Sequence, residues 1–318
     1  MVRNETKALK PSEMRLKPFL RWAGGKRQLL PVLLAAFPGD FVIGKNHYYE
    51  PFVGGGAVLM ALHGSQFWGA LGLNASVHVN DINHELICTY QVLKETPAEL
   101  IRLLQKMSSD ISEAQYYRVR SEKPRTELQR AARFIYLNRL CFNGLHRVNS
   151  KGEFNVPYGK LSNPKVCDTD LLIAVSSLLQ SAEITQGEFS QAVRGAKKGD
   201  LVYFDPPYVP LTQTASFSKY SRDDFGEGDQ RLLAKTIDEL THKGVHVVLS
   251  NSSAPLARQI FQGSLNLYAV RANRSISASA TSRNSVNEVL DISYDISNCS
   301  NPAVIKALKR YQPLSVNK

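Results

Sequence analysis

"HYYEPFVGGGAVLMAL", residues 47–62, sets an aromatic strand-like run against an acid, a glycine turn and an apolar stretch that reads as a helix start. "ASVHVNDINHELICTYQVLK", residues 75–94, repeats the plan: alternating apolar residues, then Asn80-Asp81, then a helical pattern. Two successive strand-turn-helix units are the opening of a doubly wound α/β sheet, so the expected fold class is Rossmann-like α/β. The pattern resumes in "LVYFDPPY" (201–208), a helix around Gln230 to Leu240, and the strand "GVHVVLSN" (244–251). Between about 90 and 165 the texture differs. Polar helical segments (Glu95 to Met107, Glu113 to Arg120, Thr126 to Leu140) lead into "NRLCFNGLHRVNSKGEFNVPYGK" (138–160), where Gly, Asn and basic residues interleave with aromatics. The expected organisation is a flexible polar tail (1–16), a catalytic domain formed by 17–89 and 166–318, and an inserted, mainly helical domain at 90–165. Ser275 to Ser285 reads as a polar loop.

Composition bounds the function classes. The 318 residues carry 39 Lys and Arg against 28 Asp and Glu, a formal charge of +11, which favours a polyanionic partner. No apolar run is long enough to span a bilayer, and the N-terminus lacks the apolar core of a signal peptide, so a cytoplasmic protein with no membrane partner is expected. Cys88, Cys141, Cys167 and Cys299 are scattered, with no Cys/His spacing suited to a metal, and are expected to be packing residues.

Three motifs carry chemistry. Gly54, Gly55 and Gly56 lie between strand and helix, as a nucleoside-binding turn or simply a tight turn; as a dinucleotide fingerprint the run is poor, because the third glycine position falls on Leu59. Asp81 ends the second strand, where an acid can hydrogen-bond a ribose diol or cap the next helix. "AGGKR" around Lys26 does not make a phosphate-binding loop, since Leu20 stands at the first glycine position and Arg27 where Ser or Thr would bind magnesium. The third motif is "DPPY", residues 205–208, at the C-terminal end of a strand. A pattern of this type arises by chance in roughly 1% of chains this long. An exocyclic amine conjugated to a base ring is poorly nucleophilic. A carboxylate accepting one N–H and a fixed carbonyl accepting the other would favour a pyramidal nitrogen with its lone pair free. Asp205 and the Pro206 carbonyl can supply those acceptors, with the proline φ locked, and Tyr208 can stack on the base. Such a transfer needs no metal, only an electrophilic methyl held in line.

At these blocks the chain resembles the Dam-type DNA adenine N6-methyltransferases (D12 class, alpha-group motif order). "FLRWAGGKRQLL", "YEPFVGGGAV", "VNDINHELI", "YLNRLCFNGLHRVNSKGEFNVPYGK", "FDPPYVPL", "LSN" and "VRANRSISASATSRNSVNEVL" run in the family's order and cover most of the chain. The resemblance implies an S-adenosylmethionine-dependent methyltransferase domain with an inserted target-recognition domain, acting as a monomer on double-stranded DNA near the nucleoid of a bacterial or phage-infected cell. It implies that Trp22, Lys26, Glu50, Pro51, Phe52, Gly54, Gly56, Asp81 and Asp205 bind S-adenosyl-L-methionine, and that Asp205, Pro206, Pro207 and Tyr208 form the catalytic motif. For DNA it points to Arg21, Phe142, Asn143, Leu145, Arg147, Asn149 and Pro157, with Arg274 and Arg283 on phosphates. Arg147 suits a guanine, whose O6 and N7 a guanidinium can bond together. Many relatives carry a tyrosine where Phe142 stands and a lysine at Arg21. The implied target is the adenine of GATC. The alternatives are a methyltransferase acting on RNA or on protein glutamine amines, and a catalytically silent DNA-binding relative.

Overall fold

The computed structural model describes residues 16–68, 76–208, 225–261, 265–273, 285–307 and 309–310. In chain order its elements are α1 (Leu30–Ala36), β1 (Tyr48–Glu50), α2 (Ala57–Leu62), β2 (Val77–Asp81), α3 (His84–Glu95), α4 (Pro97–Met107), α5 (Glu113–Ser121), α6 (Glu127–Leu140), α7 (Thr169–Leu179), β3 (Ala182–Gln186), α8 (Phe189–Ala192), β4 (Leu201–Phe204), α9 (Glu227–His242), β5 (His246–Ser252), α10 (Pro255–Phe261), β6 (Asn266–Asn273), β7 (Ser285–Ile292), α11 (Pro302–Ala307) and β8 (Lys309–Arg310). The strands form one sheet in the order β3-β2-β1-β4-β5-β7-β6-β8. From β3 to β5 every pairing is parallel, and β7, β6 and β8 extend the sheet antiparallel. The chain steps outward from β1 to β2 and β3, then returns to place β4 and β5 on the other side of β1. β1 and β4 therefore flank the point where the winding reverses, and a crevice opens beyond their C-terminal ends.

Alternation along the strands splits the apolar interior into two layers. Leu201 and Tyr203 of β4 join Tyr48, Val77 and Val79 on one face. Val202 and Phe204 join Tyr49, Val247 and Leu249 on the other, under Leu233 and Ile237 of α9. Three of the four cysteines are buried and none is bonded to another, consistent with packing residues. Among the described residues no helix is long and apolar enough to cross a membrane.

The segment expected to be an insertion is helical as far as Leu140, but its expected start at 90 falls inside α3, whose Tyr90, Val92 and Leu93 are buried. α4, α5 and α6 bury Leu100, Tyr116, Phe134 and Tyr136 in the same continuous core as the sheet. The expected tail ends on Leu16, which is buried; residues 1–15 lie outside the described residues, as does the expected polar loop apart from Ser285, which opens β7.

A side chain of α6 ties the N-terminal segment to the helices. Asn138 of α6, 2% exposed, accepts from Arg21 N at 2.8 Å and donates to Arg21 O at 2.7 Å, replacing the partner strand that this extended backbone lacks. Asn138→Ala leaves both backbone groups short of partners, so it is expected to cost about 2–3 kcal/mol of unfolding free energy, measured by denaturant titration.

Candidate active site

The crevice holds a cavity of about 840 Å³ whose lining includes Trp22, Lys26, Glu50, Asp81, Asp205 and Tyr208, a volume within the roughly 300–1,000 Å³ range of small-molecule sites. The catalytic-motif residues and the residues expected to hold the methyl donor thus converge, apart from Gly56, which does not itself line the cavity although Gly55 and Ala57 on either side of it do.

The glycine turn that follows β1 is built for close approach. Gly54 and Gly56 take φ of 47° and 68°, conformations strained for a residue with a Cβ. A Cβ on Gly54 would stand 2.8 Å from Trp22 Cδ1. The turn therefore accommodates the Trp22 indole. Gly54 N donates to Asp81 Oδ2 at 3.1 Å, and the Tyr90 hydroxyl donates to Gly54 O at 3.1 Å. Asp81 is not the cap of the helix after it. Asn83 takes that place, accepting from Leu86 N at 3.0 Å, while Asn83 N donates to Asp81 Oδ1 at 3.0 Å. Asp81 instead ties the end of β2 to the glycine turn. Burial pushes its carboxyl up, and the N–H groups of Asn83, Gly54 and Ile82 oppose that shift.

Beside the turn, three ionisable side chains from three segments meet. Lys26 is 3% exposed; its Nζ lies 2.8 Å from Asp205 Oδ1, donates to Gly24 O at 2.7 Å and stands 4.9 Å from the centroid of the Tyr208 ring. Asp205 keeps one-fifth of its side chain accessible, yet the surrounding protein raises its pKa by desolvation, opposed by Lys26 and by a hydrogen bond from Tyr208. Glu50 ends β1 next door. The Tyr48 hydroxyl donates to Glu50 Oε2 at 2.9 Å, and burial lifts the Glu50 carboxyl to about 8, with Tyr48 lowering it, Asp205 raising it further and Lys26 lowering it.

The residues expected to read DNA lie on the connection after α6. Phe142 is 42% exposed and its N–H donates to Pro157 O at 2.9 Å. Asn143 adopts φ of 54°. Gly144 packs so closely that a Cβ there would overlap the Arg21 side chain. Leu145 packs against the core, and Arg147 is exposed, donating from Nε to Asn155 Oδ1 at 2.7 Å. Asn149 is committed to a turn, its Oδ1 accepting from Lys151 N at 2.9 Å and Glu153 N at 3.0 Å. Arg274 and Arg283 lie outside the described residues.

His146 joins this connection to the cavity: its ring stacks on Trp22 at 5.4 Å between centroids. Other residues not singled out from the sequence also meet the cavity, among them Ile82, Gly187, Glu188 and Phe189. Phe189 stacks on Phe52 at 5.3 Å. Gly187-Glu188-Phe189 follows β3 as the glycine run follows β1, a third strand-turn-helix unit legible by the same rule. No group of three metal-ligating side chains occurs among the described residues.

A family model described as D12 class N6 adenine-specific DNA methyltransferase matches residues 22–276. The type II methyltransferase M1.LlaDCHI of Lactococcus lactis subsp. cremoris is 40% identical over 294 residues, covering 90% of this chain and 98% of its own. The type II methyltransferase M.MjaIII of Methanocaldococcus jannaschii is 38% identical over 296 residues, covering 88% and 100%. The DNA adenine methylase of Escherichia coli K12 is 32% identical over 280 residues, covering 86% and 94%.

Because Glu50 titrates near 8 when folded against an ordinary value of 4.5, the folded state holds a proton that the unfolded chain releases across that window. Its contribution to stability is therefore intact below 4.5 and is lost as pH rises toward 8. Glu50→Gln is expected to gain stability relative to the parent as pH rises through this window, by at most about 1.4 kcal/mol per pH unit, in urea unfolding at a series of pH values.

Proposed function

The chain belongs to the D12 class of N6 adenine-specific DNA methyltransferases, and on that premise we propose that it methylates the N6 amine of an adenine rotated out of duplex DNA, within GATC. Membership implies DNA as the substrate and S-adenosylmethionine as the methyl donor. The observation that carries the reading is the position of Asp205-Pro206-Pro207-Tyr208, on the same cavity as the glycine turn, Lys26 and Asp81.

The donor set fits that cofactor. Asp81 stands where an acid meets a ribose diol. Phe52, Ile82 and Phe189 offer apolar faces to a purine, and Lys26 with Glu50 and Asp205 offers charges of both signs to an amino-acid end. When bound, S-adenosylmethionine supplies an electrophilic methyl group on a sulfonium sulfur. The Asp205 carboxylate accepts one N–H of the adenine amine and the Pro206 carbonyl accepts the other, which aims the nitrogen lone pair at that methyl. Tyr208 stacks on the base, as aromatic side chains hold flipped bases elsewhere. The nitrogen sheds one proton as it gains a methyl, and the Asp205 carboxyl, raised by burial, is placed to take it.

The connection after α6 supports a DNA-reading role for the helical region at 90–165. An exposed Phe142 suits the gap left by an extruded base. Arg147 would exchange Asn155 for the O6 and N7 edge of guanine. Arg21, Asn143, Leu145 and Pro157 complete the surface proposed to face the bases.

Expression in a host lacking adenine methylation, followed by genome-wide mapping of modified adenines, tests the reading. Modification confined to GATC, and abolished by Asp205→Ala, is expected. A different modified sequence overturns the target, and unmodified DNA overturns the function. In the same assay Arg147→Ala is expected to relax the choice of one base, at a cost of about 1–3 kcal/mol in discrimination.

A further inference from the structure

Between the Cα atoms of Asp205 and Tyr208, covalent structure leaves one backbone torsion soft. Pyrrolidine rings lock φ at Pro206 and Pro207. Asp205 and Pro206 each precede a proline, which holds their ψ in the extended range. The next torsion, ψ of Pro207, has no such restraint. It sets where the Pro207 carbonyl points and where Tyr208 stands relative to Asp205.

A buried side chain on α9 takes hold of that carbonyl. Gln230 is 1% exposed, and its Nε2 donates to Pro207 O at 2.9 Å. Behind it, Asn251 of β5, 0% exposed, donates from Nδ2 to Gln230 Oε1 at 3.3 Å. Asn251 Oδ1 accepts from Ser252 N at 2.7 Å. The direction of this chain is forced at both ends. A backbone N–H can only donate, so the oxygen of Asn251 faces Ser252 and its NH₂ faces Gln230. A backbone carbonyl can only accept, so the NH₂ of Gln230 faces Pro207. Neither amide can turn over without leaving buried polar groups unpaired.

We propose that Gln230 is a positioning residue for methyl transfer: through the Pro207 carbonyl it fixes the one soft backbone torsion between the Cα atoms of Asp205 and Tyr208 and so helps set Tyr208 over the substrate base. The inference rests on the reading of Asp205 to Tyr208 as the transfer site. Asn251 and Ser252 polarise and orient the Gln230 amide from the sheet, so the geometry of the motif is referred to β5 as well as to β4.

Gln230→Met keeps the volume of the side chain and removes its hydrogen bonds; Gln230→Glu keeps the shape, and only its protonated carboxyl can again donate to Pro207. The expected result for Gln230→Met is a kcat lowered about 10- to 100-fold on a duplex substrate, with KM for DNA and the cofactor Kd changed less than about threefold. For Gln230→Glu the rate relative to the parent is expected to rise as pH falls from about 8 to about 6, because burial at this position raises the carboxyl into that window and it regains its proton there. Parental kcat in Gln230→Met, or a loss that KM and Kd share equally, overturns the proposal; so does a Gln230→Glu rate ratio that ignores pH, which decides the matter if circular dichroism shows Gln230→Met unfolded. Asp205→Ala runs alongside. If it remains active, the transfer site itself has been misread; if it is inactive while Gln230→Met behaves as the parent, only the positioning role fails.

Discussion

The contact on which the crevice depends is the ion pair between Lys26 and Asp205. Parallel strands at a winding reversal bring two carboxylates, Glu50 and Asp205, to neighbouring strand ends in a poorly hydrated place. An unpaired buried charge of either sign costs several kcal/mol even after relaxation. Lys26 reaches in from the segment ahead of α1 and supplies one ammonium near both acids. Glu50 relieves the remaining strain by holding its proton well above the ordinary carboxylate range. The segment carrying Lys26 is held in turn by Asn138 and by the packing of Trp22 on the glycine turn. Charge neutrality at the motif thus requires the N-terminal segment, and the N-terminal segment requires α6.

Much of the scaffold was legible in the sequence because it follows local rules. Period-two apolar residues, an acid at each strand end and the glycine run before α2 locate β1, β2 and the turn after β1 without tertiary knowledge. Asp205 to Tyr208 was legible for the same reason, as a rigid local pattern at the end of an apolar run. What escaped involves backbone partners far along the chain. Asn138 bonds a backbone 117 residues away, and nothing in "YLNRL" distinguishes it from an exposed helical asparagine. Gln230 bonds a carbonyl 23 residues back, and a glutamine in a polar stretch of a helix gives no sign of being buried. Asp81 and Asn83 competed for one helix start, and only the geometry separates the acid that ties down the turn from the amide that caps. Lys26 was rejected as a phosphate-loop lysine on spacing, but spacing could not foretell its carboxylate partner, Asp205. The expected domain boundary at 90 falls within α3 because composition shifts there while the helix continues to Glu95.

Trp22 touches both halves of the molecule. One side of its indole covers Gly54 and Gly55 and the other stacks on His146, one residue before Arg147. Together with Asn138 on the Arg21 backbone, it joins the crevice to the connection after α6 through packing rather than through a hinge.

That join sets which parts of the chain can be exchanged for foreign ones. Residues 138, 144 and 146 are welded to the N-terminal segment, so transplanting the whole helical region from another protein would also remove the partners that hold Trp22 and its neighbours against the cavity. The tip from Asn149 to Glu153 is different. Its hydrogen bonds close on themselves, Asn149 accepting from Lys151 N and Glu153 N, whereas Phe154 beyond it packs on His146 and the core. The chain is thus built with a self-bonded tip on a base tied to the N-terminal segment, and replacement of residues costs least within that tip.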